Sequence, residues 1–123
     1  MSNYDQTYLD VGFGSDDGGE YLTYIRWRQM IDIQPRFQGV NIIGGEACMW
    51  AELNNAHTHD QKVWIRSSVI AEKFWTNFID TKHVRLIVRR LSAQAARMKA
   101  RGFKVSAVTV ELCEKYETFC YSL

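Results

Sequence analysis

The sequence predicts an α/β fold in which parallel strands alternate with helices. Two short apolar segments, at residues 8–11 and 40–43, read as strands, and helical patterns follow each of them. Strands that alternate with helices are typical of a parallel sheet. Apolar residues make up 46% of the 123 residues, which is sufficient for a packed core. Because two strands cannot close a barrel or form a complete sheet, we expect the end of a larger α/β domain.

The first strand is expected to end at Tyr8–Val11, and a loop rich in glycine and aspartate follows at residues 12–19. Residues 20–31 carry apolar side chains at roughly helical spacing, and Pro35 ends that segment. The second strand, Val40–Ile43, is β-branched and apolar, so we expect it to be buried. Two glycines after it allow the backbone to bend.

Two longer helices are predicted in the second half of the chain. Thr58 and Gln61 have the spacing of a capping box, and the helix should run to about Trp75. Its expected inward stripe comprises Val63, Ser67, Ile70, Ala71 and Phe74. The last helix has the clearest periodicity, with apolar residues at Val84, Ile87, Val88, Leu91, Ala95 and Met98. Gly102 suits its C-terminal cap, and an alternating tail follows from Phe103.

Charge and composition exclude several partners. The net charge is +1, so the sequence has no electrostatic footprint for nucleic acid or an anionic membrane. No apolar run reaches the length of a membrane span, and residues 1–6 lack an apolar signal region. His57 and His59 lie two residues apart without a third ligand, so we expect no metal site and no cofactor.

The cysteine count is odd, which rules out complete internal pairing. Of the three cysteines, Cys48 lies in an apolar run and is expected to be a buried free thiol. Cys113 and Cys120 are close enough in sequence to pair.

The chemistry is concentrated where the second strand ends. Trp50 and Glu52 would point the same way in an extended backbone. An indole face beside a carboxylate suits a sugar, because the ring covers C–H groups while the acid accepts hydrogen bonds from hydroxyls. The alternative is a core tryptophan beside a helix-capping glutamate. Glu46 and Glu72 are expected to be structural, with Arg66 as a candidate ion-pair partner.

The stretch Gly44–Glu52, GGEACMWAE, closely resembles the G-G-E-A-C-M-W-x-E segment of family 20 glycoside hydrolases, the β-N-acetylhexosaminidases. Tyr8-Leu9-Asp10 is similar to that family's Y-L-[DN] element. Further similarities lie in the W-x7-P spacing of Trp27 and Pro35, the helix from Trp64 to Trp75, and the helix from Arg90 to Gly102.

The resemblance implies a (β/α)8 barrel, of which this chain supplies the last two strands, their helices and a tail at residues 103–123. It also implies substrate-assisted, retaining hydrolysis of terminal non-reducing N-acetylglucosamine or N-acetylgalactosamine. The pocket lies at the C-terminal ends of the strands. There Tyr8 would bind the acetamido oxygen and Trp50 would form the floor. Glu52 would bind the outer hydroxyls, and Asp10 would face the primary alcohol.

The catalytic Asp–Glu pair of that family belongs to an earlier strand and has no counterpart here. Asp16 and Asp17 are adjacent acids but lie in the glycine-rich loop. The resemblance therefore implies that this chain provides a sugar-binding wall and is inactive alone. For the full-length protein the resemblance implies a lysosomal or secreted enzyme that forms a homo- or heterodimer.

The chain departs from the family pattern at one cysteine. The tail position of the family's disulfide matches Cys113, but Ala96 stands where the helix cysteine belongs, so pairing with Cys120 is the expected replacement. Two other interpretations compete with the hydrolase. A non-catalytic carbohydrate-binding or interaction module derived from the barrel end is the main alternative. A free-standing enzyme is disfavoured because no nucleophile–base arrangement supports it.

Overall fold

A computed structural model describes residues 7–10, 25, 27–32, 39, 41, 43–52, 54–76, 84–108 and 115. Within these ranges the chain forms three helices, α1 (Trp27–Ile31), α2 (His59–Thr76) and α3 (Val84–Ala100). Helix α2 packs against both of the others. None of the helices in the described part of the chain is long and apolar enough to cross a membrane.

The predicted first strand end meets the segment that follows the predicted second strand at a single parallel bridge, between Tyr8 and Cys48. The N–H of Leu9 donates to the Cys48 carbonyl at 2.8 Å, and the N–H of Cys48 donates to the Thr7 carbonyl at 3.0 Å. The second strand was expected at Val40–Ile43, and its predicted burial is wrong at Ile43, whose side chain is 95% exposed. Burial of a strand side chain requires a neighbouring layer, and no described residue supplies one over Ile43.

Helix α1 confirms the predicted helix end at Ile31, and Asp32 closes it with a hydrogen bond to the Gln29 carbonyl at 3.1 Å. The first part of the predicted helix, the glycine-rich loop and Pro35 lie outside the described residues. Met30 and Ile31 are fully buried, so this short helix contributes directly to the core.

Helix α2 begins at the residue after Thr58, as the capping pattern predicts. The hydroxyl of Thr58 donates to Asn54 Oδ1 at 2.5 Å, which ties the preceding turn to the helix start. The predicted inward stripe is wrong in part. The buried residues are Ile65, Arg66, Val69 and Ile70, whereas Ala71 is exposed and Val63 and Phe74 are only partly buried. The buried face includes an arginine, which a pattern of apolar residues cannot predict.

Helix α3 confirms the predicted apolar stripe from Ile87 to Met98, and the side chain of Val84 lies outside those that the structure describes. Ile87, Val88, Leu91 and Ala95 are buried, and Met98 packs against a small apolar cluster. The helix ends in a Schellman motif. Gly102 adopts a φ of 90°, its N–H donates to the Lys99 carbonyl at 2.9 Å, and the N–H of Phe103 donates to the Met98 carbonyl at 3.1 Å.

Among the described residues, apolar side chains form clusters on opposite halves of α2. The larger cluster joins residues 7–10, which we call the Tyr8 segment, to all three helices. It comprises Leu9, Met30, Ile31, Val69, Ile70, Ile87 and Leu91. The smaller one comprises Ile65, Ala95 and Val105. The larger cluster therefore fixes Leu9, which lies between two candidate site residues.

The segment after α3 packs along the N-terminal half of α2. The rings of Phe103 and Trp64 meet edge to face, with centroids 4.8 Å apart. The Ser106 hydroxyl donates to the Gln61 carbonyl at 2.9 Å. The carboxylate of Asp60 accepts from the Trp64 indole N–H at 3.0 Å and from the backbone N–H of Lys104 at 3.3 Å, and these two bonds lower the pKa of Asp60.

Candidate functional site

The parallel bridge brings the two motif segments side by side. Because Tyr8 pairs with Cys48, the residues that follow each of them lie close together. Asp10 and Glu52 are 42 residues apart in sequence, yet the backbone N–H of Glu52 donates to Asp10 Oδ2. Three of the four sugar-binding residues expected from the sequence therefore occupy one place.

Tyr8, Asp10 and Glu52 form a hydrogen-bonded group, which we call the polar cluster. The Tyr8 hydroxyl donates to Glu52 Oε2 at 2.9 Å, and Asp10 Oδ2 lies 3.3 Å from the same hydroxyl. A phenolic O–H has one proton to donate, so the shorter contact to Glu52 is the stronger bond. The cluster thus joins the end of the first strand to the end of the GGEACMWAE segment.

The members of the polar cluster differ in burial. Asp10 is 0% exposed and Tyr8 is 7% exposed, whereas Glu52 is exposed to solvent. The pKa of Tyr8 is raised far above its ordinary value, first by burial and then by the hydrogen bond to Glu52 and the nearby carboxylates. A tyrosine hydroxyl is neutral at physiological pH, and the raised pKa of Tyr8 extends its neutral form to higher pH. It can donate a hydrogen bond, but it does not act as a phenolate base.

Asp10 has an unused acceptor. Its Oδ1 atom is buried and has no hydrogen-bond partner among the described residues, whereas Oδ2 accepts from the backbone N–H of Glu52 and lies near the Tyr8 hydroxyl. A buried carboxylate oxygen without a donor carries a desolvation cost, on the order of 1–3 kcal/mol. A ligand hydroxyl that reached this oxygen would recover part of that cost.

Trp50 belongs to the same segment but does not join the cluster. Its side chain is 74% exposed, so most of the indole surface is open to solvent. Trp50 and Glu52 were predicted to point the same way if the backbone between them is extended, and it is not extended. Ala51, between them, has a φ of 59°, which is the left-handed region. That turn directs Glu52 back to Tyr8 and leaves the indole face uncovered.

Helix α2 holds the backbone of the polar cluster through two cations that sequence reasoning missed. Lys62 Nζ donates to the Asp10 carbonyl at 2.5 Å. The Arg66 guanidinium donates to the carbonyls of Leu9, of Ile25 at 3.3 Å and of Lys62 at 2.9 Å. Arg66 is only 4% exposed. The one signal in the sequence was the position of Arg66 in the motif helix, which was read as an ion-pair partner.

The ion pairs expected for the structural acids are different from those observed. Glu72 pairs with Arg90 of α3 at 2.7 Å rather than with Arg66. Glu46 is exposed. The Glu72–Arg90 pair borders a groove of about 450 Å³ between α2 and α3, which is also lined by Ser68, Gln94 and Arg97.

The remaining candidates lie apart from the cluster. Cys48 is a half-buried thiol, whereas full burial was expected. His57 is exposed, and His59 Nδ1 lies 3.5 Å from Asp60 Oδ1. Among the described residues no group of three or more histidine, cysteine or acidic side chains could hold a metal ion. Asp16, Asp17, Cys113 and Cys120 lie outside the described part of the chain.

The geometry of the site suits binding of a neutral polyhydroxylated ligand. It combines a neutral donor, two carboxylates that accept hydrogen bonds, and an open aromatic face. Such a combination orients a sugar ring through its hydroxyls and its C–H face. The Tyr8 hydroxyl is hydrogen-bonded to the Glu52 carboxylate, and its raised pKa keeps it in the neutral form that donates a hydrogen bond.

Comparison with known proteins finds one matching family and several relatives. Residues 1–78 match the family model described as glycosyl hydrolase family 20, catalytic domain. The chain is 30% identical to a chitooligosaccharidolytic β-N-acetylglucosaminidase of Ostrinia furnacalis over 133 aligned positions, which cover 99% of this chain and 21% of that protein. It is also 30% identical to β-hexosaminidase subunit beta of Rattus norvegicus, over 86% of this chain and 19% of that protein.

The rat β-hexosaminidase subunit alpha gives a shorter match. It is 30% identical over 72% of this chain and 18% of that protein. The chain thus spans about a fifth of the length of the curated relatives it matches. No solved structure matches it.

Proposed function

Since the chain belongs to glycosyl hydrolase family 20 and forms part of its catalytic domain, we propose that it supplies one wall of the sugar site of a β-N-acetylhexosaminidase. The observation that carries this proposal is the 2.9 Å hydrogen bond between Tyr8 and Glu52. It joins two motif segments 44 residues apart at the position where the family resemblance puts a sugar. The names of the insect and rat relatives support the same substrate class.

Each residue of the wall has a distinct role in this proposal. The neutral Tyr8 hydroxyl donates to the acetamido oxygen of the substrate. Asp10 and Glu52 accept hydrogen bonds from the primary alcohol and the outer hydroxyls. Trp50 covers the apolar face of the terminal ring, for which its 74% exposed side chain is available. A bound sugar would accept and donate these hydrogen bonds in place of those that Tyr8, Asp10 and Glu52 make to one another.

The reaction is the hydrolysis of terminal non-reducing N-acetylglucosamine or N-acetylgalactosamine residues with retention of configuration. The acetamido oxygen of the substrate attacks its own anomeric carbon while a carboxylic acid protonates the leaving oxygen. The wall described here would fix the acetamido group and the ring. The acid and the aspartate that orients the acetamido group are supplied from outside these 123 residues.

The proposed architecture is the end of a (β/α)8 barrel. The segments that meet at the Tyr8–Cys48 bridge are its last two strands, α2 and α3 are outer helices, and residues 103–123 are a tail on the barrel. The exposed Ile43 supports this arrangement, because a further layer of the barrel would cover it.

Sugar binding by the 123-residue chain tests the proposal. The chain is titrated with N-acetylglucosamine, N-acetylgalactosamine and glucose while tryptophan fluorescence is followed. The N-acetylated sugars should change the fluorescence, and Trp50→Ala should weaken binding roughly 2- to 10-fold, since aromatic contacts contribute about 0.5–1.5 kcal/mol.

Trp75→Ala is the matched control for that titration. Trp75 is 91% exposed near the end of α2 and belongs to no part of the polar cluster. If both tryptophan variants bind N-acetylglucosamine equally well, Trp50 is not the floor of the site. If glucose binds as tightly as the N-acetylated sugars, the proposed role of Tyr8 is wrong.

Hydrolysis provides a second test. The chain alone should release no nitrophenol from p-nitrophenyl N-acetyl-β-glucosaminide, because the catalytic Asp–Glu pair of the family lies outside it. Turnover that survives repeated purification and is lost in Tyr8→Phe would overturn the assignment as a binding wall.

A disulfide between Cys113 and Cys120 belongs to the same proposal. It would close a small loop and stabilise the tail by about 2–3 kcal/mol. Alkylation of the unreduced, denatured chain followed by mass measurement should label one thiol, that of Cys48. Three labelled thiols would exclude the disulfide.

We further propose that the whole protein acts in the lysosome or outside the cell and assembles as a homo- or heterodimer on glycans that end in N-acetylhexosamine. The rat relatives, named subunit alpha and subunit beta, support assembly. Light scattering of the whole protein would give its oligomeric state, and a monomer at micromolar concentration would contradict this part.

A further inference from the structure

We propose that Lys62 and Arg66 of α2 are positioning residues that set the geometry of the polar cluster by holding the backbone carbonyls of Leu9 and Asp10. Neither side chain is proposed to touch the sugar. Their importance for sugar binding rests on the proposed function, whereas the clamp itself is defined by contacts in the ligand-free chain.

Arg66 is the centre of this clamp. Its guanidinium is 4% exposed and donates to three carbonyls: that of Leu9, that of Ile25 at 3.3 Å and that of Lys62 at 2.9 Å. A buried guanidinium is stable only when its donors are satisfied, and carbonyl oxygens satisfy them here. The three carbonyls come from the Tyr8 segment, from the residues before α1 and from α2 itself. One side chain therefore fixes three parts of the chain relative to one another.

Lys62 acts one helical turn earlier. Its Nζ atom donates to the carbonyl of Asp10 at 2.5 Å. Residues four apart lie on the same side of a helix, so Lys62 and Arg66 reach consecutive carbonyls of the Tyr8 segment together. Charge-assisted bonds of this kind are shorter and stronger than neutral ones.

The clamp and the parallel bridge hold the Tyr8 segment from two sides. The N–H of Leu9 donates to Cys48, while its carbonyl accepts from Arg66. The segment GGEACMWAE thus holds the N–H of Leu9, and α2 holds its carbonyl. With both peptide groups of Leu9 engaged, Tyr8 and Asp10 project from a fixed backbone toward Glu52. Loss of the hydrogen bonds from Lys62 and Arg66 should let Tyr8 move away from Glu52 without unfolding the chain.

The chain offers a matched control on the same helix. Lys73 Nζ donates to the carbonyl of Ile31 at 3.0 Å. That bond is also between a lysine of α2 and a buried backbone, but it reaches α1 rather than the Tyr8 segment. Lys73→Met should therefore cost stability as Lys62→Met does, without changing the environment of Tyr8.

The test measures the Tyr8 hydroxyl directly in the ligand-free 123-residue chain. Tyrosine is labelled with ¹³C at Cζ, and Tyr8→Phe assigns the Tyr8 signal. In Lys62→Met this signal should move toward that of solvent-exposed tyrosines, and Tyr8 should ionise at a lower pH than in the parent. Lys62→Arg should restore the parent signal because it restores a charged donor. Arg66→Lys, which keeps the charge but loses donors, should produce an intermediate shift.

Sugar affinity is measured on the same samples. The dissociation constant for N-acetylglucosamine should rise about tenfold in Lys62→Met, the size expected for one charge-assisted hydrogen bond, and stay within twofold in Lys73→Met. An unchanged Tyr8 signal in folded Lys62→Met and Arg66→Lys would overturn the clamp, as would an equal change in Lys73→Met. If the parent chain binds no sugar but the signals move as expected, the proposed function fails while the clamp stands.

Discussion

Replacement of Gly45 by alanine should distort the segment that carries Trp50 and Glu52. An alanine Cβ at position 45 would overlap Cζ and Cε2 of the Phe74 ring and lie 3.0 Å from Cε1. Carbon atoms pack best at about 3.5–4.0 Å, so the ring or the segment must shift by roughly 1 Å. Phe74 packs against the larger apolar cluster, which limits how far the ring can move.

The expected cost follows from two opposing effects. Overpacking of this kind costs about 1–3 kcal/mol. Alanine restricts the unfolded chain and returns about 0.4–1 kcal/mol. The net loss for Gly45→Ala is therefore about 1–2 kcal/mol, or a decrease of about 4–8 °C in Tm. Thermal and urea unfolding followed by circular dichroism would measure it.

Gly44 provides the control for this prediction. A Cβ at Gly44 meets no atom within 4 Å, so Gly44→Ala should leave stability unchanged or raise it slightly. Phe74→Leu combined with Gly45→Ala should recover part of the loss, because the smaller side chain makes room for the new methyl group. Equal stabilities for the two glycine variants would refute the packing argument.

Three further predictions concern the backbone and the polar cluster. Ala51→Gly should keep or raise stability, whereas Ala51→Val should lower it by about 1 kcal/mol or more, because φ is 59° at this position; equal losses in urea unfolding would argue against strain. Gly102→Ala should lower the Tm by about 4 °C, since Gly102 has a φ of 90° in the cap of α3, and an unchanged Tm would contradict this role. Burial and the bond to Glu52 raise the pKa of Tyr8, so its stabilising contribution is complete below pH 10 and is lost as the pH rises toward the folded pKa. Tyr8→Phe should lack that loss, and its stability difference from the parent should narrow as the pH rises above about 10; a constant difference would show that Tyr8 titrates alike in the folded and unfolded chain.

The helices show where periodicity is sufficient and where it fails. The stripe of α3 was predictable because its buried positions are apolar and recur at three- and four-residue steps. The predicted stripe of α2 had the wrong phase, because it chose positions on both sides of Arg66 and missed Ile65 and Val69, which share the buried face with this arginine. Hydrogen bonds to distant carbonyls compensate for the burial of the Arg66 guanidinium. The spacing of residues in the sequence does not reveal such bonds. Val40–Ile43 reads as a buried strand from its residue types, but the exposure of Ile43 depends on neighbours that the pattern does not contain.

Of the four candidate site residues, the sequence grouped three that the structure brings together, but it did not predict their geometry. The motif resemblance named Tyr8, Asp10 and Glu52, and these three residues are hydrogen-bonded to one another. The resemblance did not indicate that Ala51 turns the backbone between Trp50 and Glu52, because left-handed alanine is uncommon. It also did not indicate which residues hold the first strand in place.

The contacts of Arg66 have a consequence for the order of folding. This side chain joins residues 41 and 57 positions away along the chain, and contacts of such high sequence separation form slowly because a long loop must close first. The first strand end therefore acquires its final position only when α2 docks. During refolding, local helix signals should appear before the tyrosine environment matures, and the sugar wall should be among the last parts of the chain to become native.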